Sequence, residues 1–149
     1  MPTIEDLQQE IIADFELLEQ WEDKYNYIID LGKTLEPIQP QYKTDQYRIK
    51  GCQAQVWLWA ELQADGKLHF SADSDAIITK GLIAMLINLL NQQTPKDVHH
   101  AQLFFIETIG LHQHLSPSRS NGFAGMVQQM KQYAHVFLQK QLAGNVVGE

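Results

Sequence analysis

Hydrophobic positions recur at helical spacing from the start of the chain: Ile4, Leu7, Ile11, Phe15 and Leu18 fall on one helix face. Thr3 precedes them as a predicted N-cap, with Glu5 and Asp6 in the first turn, where the positive end of the helix dipole favours acid. A second helical stretch runs from Trp21 through Tyr25, Ile28 and Ile29, with Gly32 as its predicted stop. Pro37 and Pro40 then place residues 36–46 in an irregular loop, because proline disrupts helix interiors and central strands.

The period changes at Val56. Val56, Leu58, Ala60 and Leu62 face one way while Trp57, Trp59 and Glu61 face the other, which is the alternation of a strand. Ala64-Asp65-Gly66 supplies a turn, residues 67–72 return as a second strand, and residues 47–50 read as a third. Residues 75–91 are apolar almost all round, the mark of a helix buried inside the domain. Thr94-Pro95 opens a short helical turn, and residues 99–110 read as a further helix. The last helix begins near Ser116-Pro117 and carries Phe123, Met126, Met130, Tyr133 and Phe137 on one face. Residues 144–149 are expected to fray. With no repeat or linker, residues 1–149 read as one α+β domain: a small antiparallel sheet of about three strands packed against several α-helices.

Composition removes several function classes. A hydrophobic fraction of 44% and a charged fraction of 19% are those of a soluble globular domain, not of a disordered or membrane-spanning chain. The most apolar segment, residues 76–90, is broken by Thr79, Lys80 and Asn88 and is too short to span a bilayer. The first residues have neither a basic start nor an apolar signal core, and with one cysteine the expected compartment is the cytosol. A net charge of −7 disfavours nucleic acid as a partner. Glu5, Asp6, Glu10, Asp14, Glu16, Glu19, Glu22 and Asp23 make the front of the chain acidic, as a solvated helix face or a docking surface for a basic partner.

Cys52 is the only cysteine, in Gly51-Cys52-Gln53-Ala54-Gln55-Val56-Trp57. One thiol excludes an intramolecular disulfide and any site built from several cysteines. It leaves an inert buried sulfur, a nucleophile or a carrier. Gly51 suits a turn closed to other residues, Gln53 and Gln55 are polar, and the position is a connection, where functional groups concentrate. Only the thiolate attacks, and at an unperturbed pKa of ~8.5 only about 3% is ionised at pH 7. Arg119, expected in the first turn of the last helix against the dipole's preference, is the candidate cation to raise that fraction; as a plain surface charge it would not. Gly122 and Gly125 mark either a close approach of another chain segment or a late helix start. His99-His100 and the pair His112 and His114 invite a metal reading, but neighbours on a helix diverge, and no resident metal is expected. His69 or His114 could act as base in a hydrolytic Cys–His pair; nothing selects between them.

Taken together, these segments resemble the SufE family of sulfur acceptors associated with cysteine desulfurases. The matching residues are Trp21-Glu22-Asp23-Lys24-Tyr25 with Ile28-Ile29-Asp30-Leu31-Gly32, then Ile49-Lys50-Gly51-Cys52-Gln53-Ala54-Gln55-Val56-Trp57. Asp73-Ser74-Asp75-Ala76-Ile77-Ile78, Lys80-Gly81-Leu82-Ile83-Ala84 and His114-Leu115-Ser116-Pro117-Ser118-Arg119-Ser120-Asn121-Gly122 follow in the same order. The resemblance implies a fold similar to that of iron–sulfur scaffold proteins. It also implies that Cys52 takes persulfide sulfur from a SufS-like desulfurase, stimulates that enzyme, and delivers the sulfur to a SufBCD-like scaffold complex for iron–sulfur cluster assembly. No cofactor is expected on this chain, the pyridoxal phosphate belonging to the desulfurase, nor is independent enzyme activity.

On matching positions, Arg119 would steady the thiolate or the docked loop. Asp75 would fix the start of the neighbouring helix, and Gly51 and Gln53 would flank the acting sulfur. Ala54 stands where the family commonly has serine, and Phe123 where leucine is more usual. A scaffold needs several thiolates to hold a cluster, so one cysteine points to a carrier. The sulfur should be shielded in an apolar pocket beside Val56, Trp57 and Leu58, with Gly51 allowing the loop to swing out. Two other readings stay open: a passive binding activator of the desulfurase, and a Cys–His hydrolase.

Overall fold

Helix α1 (Ile4–Glu16) starts at a full capping box: the Thr3 hydroxyl accepts from the Asp6 N–H at 3.0 Å, and the Asp6 carboxylate accepts from the Thr3 N–H at 3.2 Å. The computed structural model describes residues 2–147 and shows an α+β fold, with seven α-helices and a two-stranded antiparallel sheet among those residues. Helix α2 (Trp21–Lys33) follows α1, and β1 (Val56–Leu62) pairs with β2 (Leu68–Ser74) from Val56↔Ser74 to Leu62↔Leu68. Gly66, at φ 83°, turns the chain between the strands. Helices α3 (Ile77–Leu90), α4 (Pro95–His100), α5 (Phe105–Thr108), α6 (Leu111–His114) and α7 (Pro117–Val147) complete the order. No helix among the described residues is long and apolar enough to cross a membrane.

The core is organised around α3. Leu82, Ile83, Met85, Leu86 and Leu89 are fully buried, so this helix has no solvated face over most of its length. One side of α3 meets α2; the others meet the inner face of the sheet, α7 and α1. Val56, Leu58, Ala60, Leu68, Phe70 and Ala72 form that inner face, and Phe123, Met126, Met130 and Ala134 bring α7 onto the same core.

The outer face of the sheet is covered as well. Tyr42 stacks on Trp59 with ring centroids 3.8 Å apart, a contact of about 1 kcal/mol beyond its area. Lys43 lies over Trp57 and pairs with Asp73 at 2.8 Å, while Lys80 reaches Asp73 at 3.3 Å. Burial alone would raise the Asp73 carboxyl; Lys43, the Ser74 N–H and Lys80 outweigh it and hold the group below the usual carboxylate range. Residues 39–47 thus form a strap across Trp57 and Trp59 that leads directly into the cysteine loop.

Four expectations need correction. The third strand is absent: residues 45–47 form a 3₁₀ turn, and residues 47–50 supply only the Arg48↔Trp57 bridge and a 2.8 Å bond from the Ile49 N–H to the Val56 carbonyl. The chain must bend from the strap into the loop, which leaves no room for a ladder. The single helix over 99–110 is broken after His100. Buried Gln8 enters the break, donating to the Gln102 carbonyl at 3.0 Å and accepting from the Phe105 N–H at 3.1 Å, and Lys131 donates to the Ala101 carbonyl. Tertiary partners satisfy these backbone groups in place of a helical ladder. Nor does Gly32 stop α2, which runs on to Lys33 and is capped at Thr34. Finally, α7 continues through Gly144 to Val147, and residues 148 and 149 lie outside the described residues.

Gly32 has another reason to lack a side chain. A Cβ there would stand 2.8 Å from the Gly81 nitrogen, and a Cβ on Gly81 would stand 2.0 Å from the Ile28 carbonyl oxygen. The backbones of α2 and α3 therefore touch, with no space for even a methyl group. Gly81→Ala should lower stability by about 3 kcal/mol, the upper range of overpacking costs, as read from urea unfolding. A loss under about 0.5 kcal/mol, the scale of a neutral surface change, would show that the helices part easily.

Candidate functional site

Cys52 stands in the loop between the Arg48↔Trp57 bridge and β1. Gly51, just before it, has φ 86°, a left-handed backbone that glycine adopts without strain, and it is exposed. On the far side of the loop, the Gln55 N–H donates to an Asp75 carboxylate oxygen at 3.0 Å, and the Asp75 N–H returns a bond to the Gln55 carbonyl at 3.2 Å. Asp75 therefore fastens the cysteine loop to the junction of β2 and α3. It does not cap α3, whose N-cap residue is Ala76, with no side-chain bond.

The sulfur is partly buried against the core and faces α7. Its Sγ lies 3.7 Å from the Gly122 carbonyl oxygen, within reach of a weak S–H donation. A Cβ on Gly122 would come to 3.4 Å from the same sulfur, so this glycine marks a close approach; α7 has already begun at Pro117. Gly125 is different, since a Cβ there would make only ordinary contact with Ile49.

Beside Cys52 lies a cavity of about 330 Å³, lined by Gln53, Ala54, Asp75, Ala76, Thr79, Ser118, Arg119 and Gly122 among others. Its walls are the start of α3 and the first turn of α7. The expected apolar pocket beside Val56, Trp57 and Leu58 is replaced by this mixed, partly polar one, because those three side chains are spent on the core and under the strap. Of the residues singled out from sequence, Cys52, Gln53, Asp75 and Arg119 converge here, with Gly51 at the loop's bend. Arg119 is exposed, and its guanidinium makes no ion pair among the described residues.

Sequence reasoning passed over Thr79 and Ser118. For Thr79 there was a signal: it is a polar residue in the first turn of a helix that is otherwise almost wholly apolar. The histidines go elsewhere. His114 stacks on Trp21 at 3.8 Å and bonds to the Gly110 carbonyl, and neither it nor His69 lines the cavity. His99 packs edge-on to His100 and against His135. Among the described residues, no group of three or more His, Cys, Asp and Glu stands ready to hold a metal.

Burial pushes the Cys52 thiol up from its ordinary value, so the resting site favours S–H over thiolate. The rate of alkylation of the native protein should therefore rise with pH through a midpoint higher than that of the urea-unfolded chain. A midpoint at or below the unfolded value would mean that a nearby cation, not desolvation, governs this sulfur.

Comparison with known proteins completes the picture. A solution structure of a hypothetical protein from Thermus thermophilus shares the fold, with a TM-score of 0.75 over 89% of this chain and 96% of that one at 18% identity. The SufE family, described as an Fe-S metabolism associated domain, matches residues 9–134, a span that includes α2, the cysteine loop, the whole sheet and both walls of the cavity. The chain belongs to the SufE family, and its role lies in iron–sulfur metabolism.

Proposed function

We propose that this protein is a sulfur acceptor and carrier that loads Cys52 from a SufS-like cysteine desulfurase, stimulates it, and hands the sulfur to a SufBCD-like scaffold. The observation that carries this reading is the placement of the only cysteine: in the loop that leads into β1, on the wall of a cavity that extends beyond its sulfur. The Cys52 thiolate attacks the terminal sulfur of the desulfurase persulfide. One S–S bond forms at Cys52 as the desulfurase's S–S bond breaks, and its cysteine leaves as thiolate to be reprotonated. No net redox change occurs, and this chain needs no cofactor for the step. The chain would act in the cytosol as one domain, with no independent turnover of its own.

A second reading has one observation in its favour. The raised thiol is a poor nucleophile at rest, as in a protein that activates the desulfurase by binding alone. Docking that draws Cys52 out of the cavity would restore its ordinary acidity, so the two readings separate only by where the sulfur goes. The hydrolase reading finds no support, because no histidine lines the cavity.

Incubation with a SufS-like desulfurase and cysteine, followed by intact mass without reductant, tests the proposal. The wild-type protein should gain one or more sulfur atoms of mass and quicken desulfurase turnover, and Cys52→Ser should do neither. Full stimulation by Cys52→Ser would sink the carrier reading in favour of the passive activator.

A further inference from the structure

Helix α3 is buried almost throughout, yet it opens on an isoleucine that is 68% exposed. Its other exposed position is Asn88, a polar residue suited to water. Ile77 directly follows Asp75 and Ala76, two residues of the cavity wall beside Cys52, and Thr79 of the same wall comes two positions later. The fold therefore leaves a large apolar side chain in water at the rim of the cysteine site. Among the described residues the other exposed large hydrophobics, Leu17, Phe104, Val136 and Leu142, neither line that cavity nor adjoin a residue that does. The charge at this rim is also unlike that of the chain, which carries −7 overall with much of its acid on α1 and α2. Lys50, two residues before Cys52, and Arg119, on the cavity wall, are exposed and make no ion pair among the described residues. Asp75 is the one carboxylate on that wall among the described residues, and it is already bonded to the Gln55 N–H.

Resting on the carrier reading above, we propose that Ile77 is the apolar anchor by which the sulfur donor docks, entering a recess on the donor that is edged with carboxylates opposite Lys50 and Arg119. Sulfur passes only between atoms in contact, so the donor has to close over the mouth of this cavity and cover its rim. A large apolar side chain and an arginine, with few carboxylates, is the make-up of a protein–protein contact. Covering Ile77 removes apolar surface from water, which is worth about tenfold or more in affinity. The two cations orient the approach and select a donor face of opposite charge. A second copy of this chain is a poor occupant, because a two-fold contact across the rim would set Lys50 and Arg119 against their own counterparts.

Binding of the full chain to a SufS-like desulfurase, measured by calorimetry without cysteine so that no sulfur moves, gives the test. Ile77→Ser should bind about tenfold more weakly than wild type, and Ile77→Leu within about twofold of it. The urea-unfolding midpoint of Ile77→Ser should match wild type, since the side chain is exposed. Inorganic polysulfide should load Cys52 as fast in Ile77→Ser as in wild type. In that control the Cys52 thiolate attacks a terminal sulfur, one S–S bond forms as another breaks, and a chain one sulfur shorter leaves. Raising salt from about 50 to about 300 mM should weaken wild-type binding about threefold or more, and weaken Lys50→Ala binding less.

Equal affinity of wild type and Ile77→Ser would overturn the proposal, as would a wild type that binds no SufS-like desulfurase. An Ile77→Leu protein as weak as Ile77→Ser would also do so, by showing that apolar bulk is not what the donor covers. So would slower polysulfide loading in Ile77→Ser, which would trace the effect to the cysteine and not to docking. Binding that strengthens with salt would remove the acidic donor face. A wild type that binds through Ile77 as expected but gains no sulfur from the desulfurase would sink the carrier reading while leaving this one standing.

Discussion

The contact on which the site depends is one of backbone on backbone, where α2 crosses α3 at Gly32 and Gly81. It lets α3 sink far enough into the domain to be buried on nearly all sides, and so fixes where its first turn emerges beside Cys52. The same α2 also secures the other wall of the cavity. Trp21 stacks on His114, and the Tyr25 hydroxyl donates to the His114 carbonyl, two residues before Ser116 and the start of α7. Trp21, Tyr25, Ile28 and Gly32 sit at intervals of four, three and four residues, which is one face of a helix. A motif far from the cysteine in sequence is thus the brace that holds Thr79 and Arg119 on opposite sides of one opening.

Those parts of the structure governed by local rules could be read from the chain. The Thr3 N-cap, the β1–β2 hairpin with its Gly66 turn, the Thr94 cap and the buried α3 all depend on residues within a few positions of one another. What escaped reading depends on distant partners. The break after His100 exists because Gln8, far away on α1, takes the freed backbone groups, and no periodicity within 99–110 records that. The third strand fails for a related reason, since the strap's hold on Trp57 and Trp59 dictates how the chain enters the cysteine loop. Gly32 resembled a helix stop because a glycine at a helix end and a glycine at a helix crossing look alike until the second helix is in place.

The site shows the same division. Cys52, Gly51, Gln53, Asp75 and Arg119 were legible as residue types in suggestive places, and four of them do meet around one cavity. The character of that cavity was not legible. Val56, Trp57 and Leu58 adjoin Cys52 in sequence, but as strand residues they go into the core and beneath the strap, and the sulfur's real neighbours come from two helix starts. Asp75 shows how narrow the margin is. One residue before the N-cap it could serve the helix or the loop, and its bond to the Gln55 N–H commits it to the loop.

On the proposed carrier reading, opposed demands fall on one sulfur. Before loading, a reactive thiolate would invite oxidation, and burial beside the Gly122 carbonyl keeps the proton on. Transfer would require the thiolate, and the loop would have to move about the exposed bend at Gly51, against the Asp75–Gln55 bonds, the Arg48↔Trp57 bridge and the contact of Sγ with the Gly122 carbonyl. A loaded sulfur would reach about 2 Å beyond Sγ, and the cavity beside Cys52 is the space open to it. That reading needs no second thiol, whereas a protein that holds a cluster needs several.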